Sequence, residues 1–579
     1  MINEVAAQTR SYLFAATVMF VVACAAPAPP PPAGPPNPAA FPRTRPELTD
    51  YKETSHYSDV RSFLDSLRAL RAPLAFGSTG RTNEGREIPY VIASRPLVST
   101  PSEAKRLGRP IVYVQGNIHA GEIEGKDALL ALVRDLVFAA KPNALDSIVL
   151  IAVPIYNADG NERFAPQSVN RTEQNGPEMV GIRANAQNLD LNRDYVKAEA
   201  PETRASLAMF NAWDPDVFVD LHTTDGSFHG YALTYSPSLS PAAVFGGVYA
   251  RDSLLPVLRE RMRVRDGFEV FDYGNFVSDG RGLVSDTTVP EGWETYDSRP
   301  RFGTNYYGIR GRIAILSEAY SHDPLERRIG STYAFVKEIL SLVGEKSAEI
   351  KSLTARADSQ PLAWGRAPDS LQLVAVRSEV VATPRMMDVI KEDVEKTGDS
   401  SLTQPGVPRG ERRTGRYRTL RMPVYDRFTS TLDRTPPAAY VLAPEDTAVV
   451  TLLRLHGIRV DRADTLWRAR GESFVIDSII TAQRPFQGHR EVRLKGRWER
   501  GPQTLPPKSF IVSTAQPRGA LIVYLLEPES DDGVTTWNFF DKELQKGGRF
   551  PVRRIFDLSR RGRAATRRSS TSTLPQPEN

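Results

Sequence analysis

The sequence predicts an α/β domain with a largely parallel or mixed sheet over residues 44–343, followed by an accessory α+β or mainly β domain over residues 358–557. Short apolar runs alternate with helix-like segments in the first region, whereas strand-like runs dominate the second. The length of 579 residues exceeds that of one ordinary domain, and 40% hydrophobic with 25% charged residues is typical of a globular chain.

The first region contains apolar runs that have the length of buried strands. These runs are "IVYVQGN", "SIVLIAVPIYN", "VFVDLH" and "RIAILSEAY". The segments with helical spacing between them are "GKDALLALVRDLVFAA", "PETRASLAMFNAW" and "GGVYARDSLLPVLRERMR". Because strands that alternate with helices are usually joined by helical crossovers, we expect a parallel or mixed sheet.

The second region has a different pattern. Its stretch "AAYVLAPEDTAVVTLLRLHGIRV" predicts a strand, a helix and a second strand. Four further runs predict strands: "SFVIDSIITAQ", "EVRLKGRWE", "SFIVSTAQ" and "GALIVYLLEP".

Residues 1–24 have the pattern of an export signal, in which Arg10 precedes an apolar segment too short to span a bilayer. Cys24 ends this segment in "VVAC", which resembles the lipobox of bacterial lipoproteins. The resemblance implies a cell-envelope protein anchored in the membrane by lipid on Cys24; the alternative is ordinary signal-peptidase cleavage. Residues 25–43 are rich in proline and predict an extended spacer.

The formal net charge of +5 is small for this length, and much of the basic excess lies in and just before residues 558–579, a predicted disordered tail. The charge therefore predicts no nucleic-acid-binding face. With 1 cysteine, the chain cannot form an intramolecular disulfide. The sequence leaves the oligomeric state open.

His119 and Glu122 stand close together where the apolar run ending at Gly116 gives way to a helix-like segment. In hydrolases, zinc is commonly held by two imidazoles and a carboxylate, with one position left for water. His222, at the end of "VFVDLH", can supply the second imidazole. Each histidine taken alone could equally be a core or a surface residue.

Three further motifs complete the pattern: "YNADG" after an apolar run, "NLDLNRDY", and "RIAILSEAY" with Glu318 near its end. Together with "HAGE" and "DLH", in this order and at these separations, they resemble the zinc carboxypeptidase family over residues 44–343. The resemblance implies a mixed, mostly parallel eight-stranded sheet with helices on both faces. It also implies one zinc ion (Zn2+) per chain and peptide substrates with a free C-terminus.

The resemblance assigns the metal centre residue by residue. It implies that His119, Glu122 and His222 ligate zinc and that Glu318 is the general base and acid. The chemistry agrees, since a carboxylate that closes an apolar run has a raised pKa and can accept a proton from a zinc-activated water.

The same resemblance matches Asn192 and Arg193 to the pair that holds the terminal carboxylate of the substrate. A guanidinium fork beside an amide suits a planar carboxylate. Asp190 matches the aspartate that orients the first ligand histidine. The alternative for Asp190 is a turn-capping role.

Two roles have competing candidates. As the arginine that stabilises the oxyanion, Arg183 is preferred to Arg171, because its short lead to the "NLDLNRD" motif resembles the cytosolic branch of the family. As the tyrosine that closes over the substrate, Tyr296 is preferred to Tyr273 and Tyr307, because it has the family's separation from the general base.

The substrate's side chain is not predicted. Gly303 occupies the family's side-chain pocket position and resembles neither the aspartate of basic-specific members nor the aliphatic residue of apolar-specific ones. Arg299 and Arg301 could favour acidic side chains, although solvent exposure is the simpler interpretation. His229 is interpreted as a loop or pocket-wall residue.

The predicted function is that of an exported zinc-dependent peptidase that removes C-terminal residues from peptides. One alternative is a zinc-dependent deacylase or amidohydrolase of small carboxylate-bearing molecules. Another is a non-catalytic envelope-binding lipoprotein that uses a degenerate enzyme domain.

Overall fold

The computed structural model describes residues 41–279, 291–364, 371–381 and 384–558. The export signal with Cys24, most of the proline-rich spacer and nearly all of the basic tail lie outside the described residues. Among the helices described, none combines the length and the apolar character that crossing a membrane requires.

The strands of the described residues are β1 Leu74–Arg81, β2 Glu87–Ala93, β3 Ile111–Gly116, β4 Val149–Val153, β5 Ala165–Pro166, β6 Met179–Val180, β7 Val217–Thr223, β8 Leu233–Pro237, β9 Val270–Asp272, β10 Asn275–Phe276, β11 Trp293–Glu294, β12 Ile313–Ala319, β13 Val374–Val380, β14 Arg385–Lys396, β15 Glu411–Tyr425, β16 Phe428–Arg434, β17 Ala439–Leu442, β18 Asp461–Arg462, β19 Trp467–Thr481, β20 Val492–Leu505, β21 Phe510–Ser513 and β22 Arg549–Ile555.

The α-helices of the described residues are α1 Arg45–Leu48, α2 Tyr57–Ala69, α3 Pro101–Leu107, α4 Glu124–Phe138, α5 Ala158–Asn161, α6 Gln167–Asn170, α7 Pro201–Trp213, α8 Gly246–Tyr249, α9 Leu255–Arg261, α10 Gly303–Ile309, α11 Leu325–Glu345, α12 Ser347–Trp364, α13 Thr447–Leu455 and α14 Gly519–Leu526.

The largest sheet has eight strands in the order β1-β2-β4-β3-β7-β12-β8-β9. Its centre is parallel, since β3 pairs in parallel with β4 and β7, and β7 with β12. The strands β1, β2 and β8 run antiparallel to their neighbours nearer the centre. The predicted fold class, a mixed eight-stranded sheet, is therefore confirmed.

Strand β7 shows why this sheet lies in the interior. Val217 and Val219 pack on one face in a cluster with side chains of α4 and α11. Phe218 belongs to the cluster on the other face, which includes side chains of α7. Because successive residues of a strand point to opposite faces, a run that is apolar throughout needs cover on both.

The region after residue 371 is rich in antiparallel strands. Its largest sheet has six strands in the order β18-β21-β17-β22-β19-β20, and β14 pairs with β15 in a separate sheet. Helices α13 and α14 belong to the same region. This composition agrees with the predicted α+β or mainly β character.

Two features connect this region with the first. Strand β11 pairs in parallel with β15, so that Trp293 lies opposite Val424. The hydrophobic cluster that includes side chains of α7 also contains Val449 of α13 and Phe474 of β19. The two regions therefore share both a sheet and a hydrophobic core.

The segment "GALIVYLLEP" forms a helix, α14, and the prediction of a strand there was wrong. Its residues from Leu521 to Leu526 are all buried. A short run that is apolar on every side carries no periodicity, so a buried helix and a buried strand have the same sequence pattern.

Candidate metal centre and substrate cavity

Three side chains of the predicted site stand at the same edge of the large sheet. His119 follows the end of β3. His222 and Glu318 are the next-to-last residues of β7 and β12 and lie directly opposite one another in register. In an open α/β sheet, ligands bind beyond the carboxyl ends of parallel strands. The sheet topology thus brings together residues that are far apart in the sequence.

The predicted ligands converge on one point. Oxygens of Glu122 lie 2.9 Å from His119 Nδ1 and 2.9 Å from His222 Nδ1. The two Nδ1 atoms are 3.2 Å apart. All three side chains are buried, and their donor atoms lie within 4.8 Å of one another.

The second nitrogen of each imidazole faces a carboxylate. His119 Nε2 lies 2.9 Å from Asp190 Oδ1, and His222 Nε2 lies 3.1 Å from Asp220 Oδ2. A proton on each Nε2 leaves the Nδ1 lone pair directed at the shared point. Such carboxylate partners are typical of histidines that ligate metals.

These donors fit zinc. Two imidazole nitrogens and one carboxylate are the ligand set of catalytic zinc sites, whose tetrahedral geometry separates ligand atoms by about 3.3 Å. The separations of the Nδ1 atoms and the carboxylate oxygens are close to that value.

Neighbouring charged groups keep the carboxylate of Glu122 ionised. Burial opposes ionisation, but His119 and Arg171 hold the pKa of Glu122 well below its usual range. Arg171 Nη1 donates to Glu122 Oε1 at 3.2 Å, and Arg183 Nη1 donates to the same oxygen at 3.3 Å. The carboxylate is therefore available as an anionic ligand.

The two candidate arginines differ in their surroundings. Arg171 is buried and also donates to the backbone oxygens of Thr223 and Thr224. Arg183 lines the cavity in front of the metal centre, with its Nε donating to Asp190 at 2.9 Å. Of the two, Arg183 lines the cavity, and its role as the arginine that stabilises the oxyanion stays a prediction.

Asp190 makes contacts that match both of the roles considered for it. Its Oδ1 faces His119 and also accepts a hydrogen bond from the backbone nitrogen of Asn192 at 2.9 Å. The second bond caps the short helical turn Leu191–Arg193. Burial is outweighed by the charges of Arg183 and His119, which hold the pKa of Asp190 well below its usual range.

The predicted carboxylate-binding pair lies beside the metal centre. Residues 181–200, called the binding loop below, carry Asn192 and Arg193, and both side chains line the cavity. Asn192 Oδ1 accepts from the backbone nitrogen of Gly303 at 2.9 Å, and the guanidinium of Arg193 lies 3.8 Å from the ring centre of Phe302. Both side chains are thus held in place before a substrate binds.

The cavity has a volume of about 250 Å³ and is bounded by the metal centre on one side. Glu318 lines it, and burial followed by the neighbouring charge of Glu122 raises the pKa of Glu318 well above its usual value. A carboxyl group with a raised pKa can both accept and return a proton near neutral pH.

Of the three candidate tyrosines, two line the cavity. Tyr296 lies between Tyr273 and Phe302, with ring centres 5.7 and 5.1 Å away. Tyr307 is fully buried and stacks on Phe210 at 3.8 Å in the hydrophobic core, away from the cavity.

Arg299 and Arg301 neither point into the cavity nor simply face solvent, so both interpretations were wrong. Arg301 is 3% exposed and pairs with Asp532 at 2.8 Å and with Glu491 at 2.7 Å. Arg299 pairs with Asp297 and lies 3.6 Å from Glu491. Arg301 is thus held by partners in the accessory region, whereas Arg299 is held mainly by its neighbour Asp297.

Gly303 and His229 are packing residues. A Cβ atom on Gly303 would lie 2.7 Å from the ring of Tyr195, so there is no room for a larger residue at this position. His229 is buried against Tyr320, with ring centres 4.2 Å apart, and burial lowers its pKa to about 3.

Several cavity residues were missed by sequence reasoning. They come from the loops after β7 and β11, from the short strands β10 and β11 and from the start of α10, and no motif marks them: Asp225, Asn275, Glu294, Asp297, Phe302 and Thr304. Their positions depend on how the loops fold over the sheet edge.

Comparisons with known proteins agree with this geometry. Residues 60–243 match the family model described as zinc carboxypeptidase. Carboxypeptidase 2 of Trichophyton rubrum is 22% identical over 527 residues, which are 86% of this chain and 86% of that protein. Carboxypeptidase D of Mus musculus is 29% identical over 182 residues, 29% of this chain and 12% of that one.

The family match and the carboxypeptidase names of these relatives support a metallocarboxypeptidase. A solved metallo-carboxypeptidase from Burkholderia cenocepacia is 18% identical, with a TM-score of 0.37, and the match covers 51% of this chain and 70% of that chain. The residues that match the family model include all three predicted metal ligands. These are His119 and Glu122, three residues apart, and His222 at the end of β7.

Proposed function

We propose that the protein is a zinc-dependent carboxypeptidase that removes the C-terminal residue of peptides with a free terminal carboxylate. The observation that carries the proposal is one cavity that the metal donors, Glu318, Asn192 and Arg193 all line. A hydrolytic centre on one side and a carboxylate-binding pair on the other suit a substrate cut next to its terminus.

Glu318 is the proton carrier in this proposal. When bound, zinc supplies a positive charge that acidifies a water molecule and polarises the scissile carbonyl. Glu318 accepts the proton of that water and returns it to the nitrogen of the leaving amine. Burial, which raises the pKa of Glu318, supports both steps.

Arg183 is proposed to stabilise the oxyanion that develops on the scissile carbonyl. Its side chain is 37% exposed and lines the cavity, while its bonds to Asp190 and Glu122 fix its orientation. A donor that is oriented in advance stabilises developing charge without a cost in reorganisation.

Asn192 and Arg193 are proposed to bind the substrate's terminal carboxylate, and Tyr296 to close over the bound residue. The contact of Arg193 with Phe302 supports the first role, because it holds the guanidinium plane at the cavity wall. Tyr296 supports the second by its place on that wall.

Paired peptides test the proposal. One peptide of each pair has a free C-terminal carboxylate and the other is amidated there. We expect amidation to cost about 2 to 4 kcal/mol in kcat/KM, since it removes one partner of a partly buried charge pair. Arg193→Ala should lose a similar amount on free acids and little more on amides. Arg106→Ala, at an exposed arginine of α3, is the matched control.

The outcomes separate the candidate functions. Equal cleavage of acids and amides by the wild type would exclude a carboxypeptidase. A preference for N-acyl amino acids over blocked dipeptides would indicate a deacylase. Zinc binding without hydrolysis of any of these substrates would indicate a binding protein.

We also propose that the enzyme is exported and held at the cell envelope by lipid on Cys24. The apolar segment before Cys24 and the proline-rich residues after it support a membrane anchor with an extended spacer.

A further inference from the structure

The binding loop has little regular structure of its own. It connects β6 to α7 and contains one short helical turn, Leu191–Arg193. A loop of this kind keeps its orientation through contacts with the surrounding structure. Since Arg183 and Arg193 both belong to it, those contacts bear on the geometry of the cavity.

One such contact comes from the accessory region. The backbone nitrogen of Asp190 donates to Gln487 Oε1 at 2.9 Å. Gln487 lies in residues 482–491, called the hairpin tip below, which connect β19 to β20. The two residues are 297 positions apart in the sequence.

The hairpin tip is a tight turn. The backbone groups of Phe486 and His489 exchange hydrogen bonds of 2.7 and 2.9 Å. The two residues between them have left-handed backbones, with φ of 50° at Gln487 and 82° at Gly488. Such two-residue turns favour glycine, asparagine or aspartate at both positions.

Glutamine is therefore an unfavourable residue at position 487. A left-handed backbone brings its Cβ too close to the neighbouring carbonyl, a cost that glycine avoids. Residues held in such conformations concentrate at functional sites, where the surroundings compensate. Here the compensating contact is the hydrogen bond from Asp190.

The hairpin tip is itself anchored on both sides of Gln487. His489 Nε2 lies 3.0 Å from Glu199 Oε1, at the end of the binding loop. The ring of Phe486 lies 5.5 Å from the guanidinium of Arg301. The amide of Gln487 thus approaches Asp190 from a fixed direction.

Asp190 transmits this position to the cavity. Its carboxylate contacts His119 Nε2 at 2.9 Å and Arg183 Nε at 2.9 Å, and its Oδ1 caps the turn that carries Asn192. A shift of the Asp190 backbone would therefore move the turn with Asn192 and Arg193.

We propose that the hairpin tip, through Gln487, is a positioning element that holds the binding loop in the orientation that binds the substrate's terminal carboxylate. This inference rests on the proposed carboxypeptidase function. It gives the accessory region a part in substrate recognition, since Gln487 acts through Asp190 without touching the substrate.

Two substitutions of Gln487 test the proposal. Gln487→Met keeps the length of the side chain but removes the acceptor, and Gln487→Gly also removes the acceptor while suiting the left-handed backbone. Arg484→Ala, at an exposed neighbour in the same hairpin tip, is the matched control. The full-length, zinc-loaded protein is used in each case.

The first measurement compares free-acid with amidated peptides. Both Gln487 variants should lose about three- to tenfold in kcat/KM on free acids, the effect of one lost hydrogen bond, and nearly nothing on amides. A merely structural role would lower the two rates equally. An equal reduction of kcat/KM on free-acid and amidated peptides, or no reduction on either, would overturn the proposal.

The second measurement does not depend on activity. Hydrogen exchange of the Asp190 amide should become about three- to tenfold faster in both variants and stay unchanged in Arg484→Ala. Zinc content should remain that of the wild type. Unchanged exchange would overturn the positioning role, whereas a wild type that cuts acids and amides equally would overturn the proposed function instead.

Discussion

At the residue scale, Asp190 connects the predicted metal ligand His119 with the turn that carries Asn192. One oxygen serves both His119 and the turn that carries Asn192, and the other binds Arg183. Loss of this side chain would therefore disturb the metal centre and the carboxylate-binding pair together. Effects of substitutions among these residues are expected to be non-additive, because they share one carboxylate.

The metal centre can be tested one residue at a time. His119→Ala or His222→Ala should lower bound zinc well below one per chain, because each removes a ligand. Glu318→Gln should keep the zinc and lower kcat by about 10²–10⁴-fold, the usual contribution of a general base. Metal analysis of purified protein with activity on a free-acid peptide measures both.

His56→Gln is the control for these variants, since His56 is an exposed histidine outside the cavity. Full zinc occupancy in both ligand variants would contradict the assignment of the site. Normal turnover in Glu318→Gln would contradict its role as the proton carrier.

The sequence predicts the position of a site residue when that position depends on the local chain, and it fails when the position depends on partners far along the sequence. The convergence of His119, His222 and Glu318 was predictable because each lies at or just after the end of an apolar run, and strands that end together place these residues together. Arg301 was not predictable, since its partners Asp532 and Glu491 lie 231 and 190 residues further along the chain.

At the element scale, the parallel strands were predictable and one buried helix was not. The strands β3, β7 and β12 coincide with apolar runs of strand length that stand between amphipathic segments. Helix α14 lacks a polar face, so that its sequence pattern did not distinguish it from a strand. Its surroundings in the folded protein decided the outcome.

The hairpin tip should respond to pH through His489. Nε2 faces Glu199 Oε1 and Nδ1 faces Asn538 Oδ1, each at 3.0 Å, so both ring nitrogens must donate. Asn538 Nδ2 donates to the Arg490 backbone at 2.7 Å, which fixes the orientation of that amide. The bond to Glu199 raises the pKa of His489, although partial burial and Lys197 oppose the shift.

The sign of the effect follows from the raised pKa. Contact between the hairpin tip and the binding loop should be fully stabilised below the ordinary histidine pKa of about 6.5 and weaken as the pH rises through the raised value. Hydrogen exchange of residues 482–491, corrected for its intrinsic pH dependence, should accelerate across that interval. The effect should be modest, because Glu199 is partly exposed.

Glu199→Gln provides the matched control for the pH response, since the amide has the same shape and no charge. Exchange in this variant should vary much less with pH over the same interval. An equally strong pH response in Glu199→Gln would show that another group is responsible.

At the scale of the whole molecule, the accessory region is part of the folded core. The hydroxyl of Tyr306 in α10 donates to His456 Nδ1 at 2.7 Å, and His456 Nε2 donates to the Val196 backbone oxygen at 3.1 Å. Burial lowers the pKa of His456 to about 3, so the neutral imidazole joins the two regions. A domain boundary inferred from the change in sequence pattern does not reveal such shared contacts.

The position of the molecule in the cell is tested at its N-terminus. If Cys24 carries lipid, the full-length protein should partition into detergent and incorporate radioactive palmitate. Cys24→Ser should move it to the soluble fraction or stop its maturation. Partitioning that is the same in both proteins would indicate plain secretion.

The ion pair of Arg301 with Asp532 also has a consequence in time. Because 231 residues separate the two, synthesis at about 5–20 residues per second produces the arginine roughly 10 to 50 seconds before its partner. During that interval the arginine stays hydrated, since burying it alone would be costly. The wall of the cavity next to Arg301 is therefore completed late, only after Asp532 has been made.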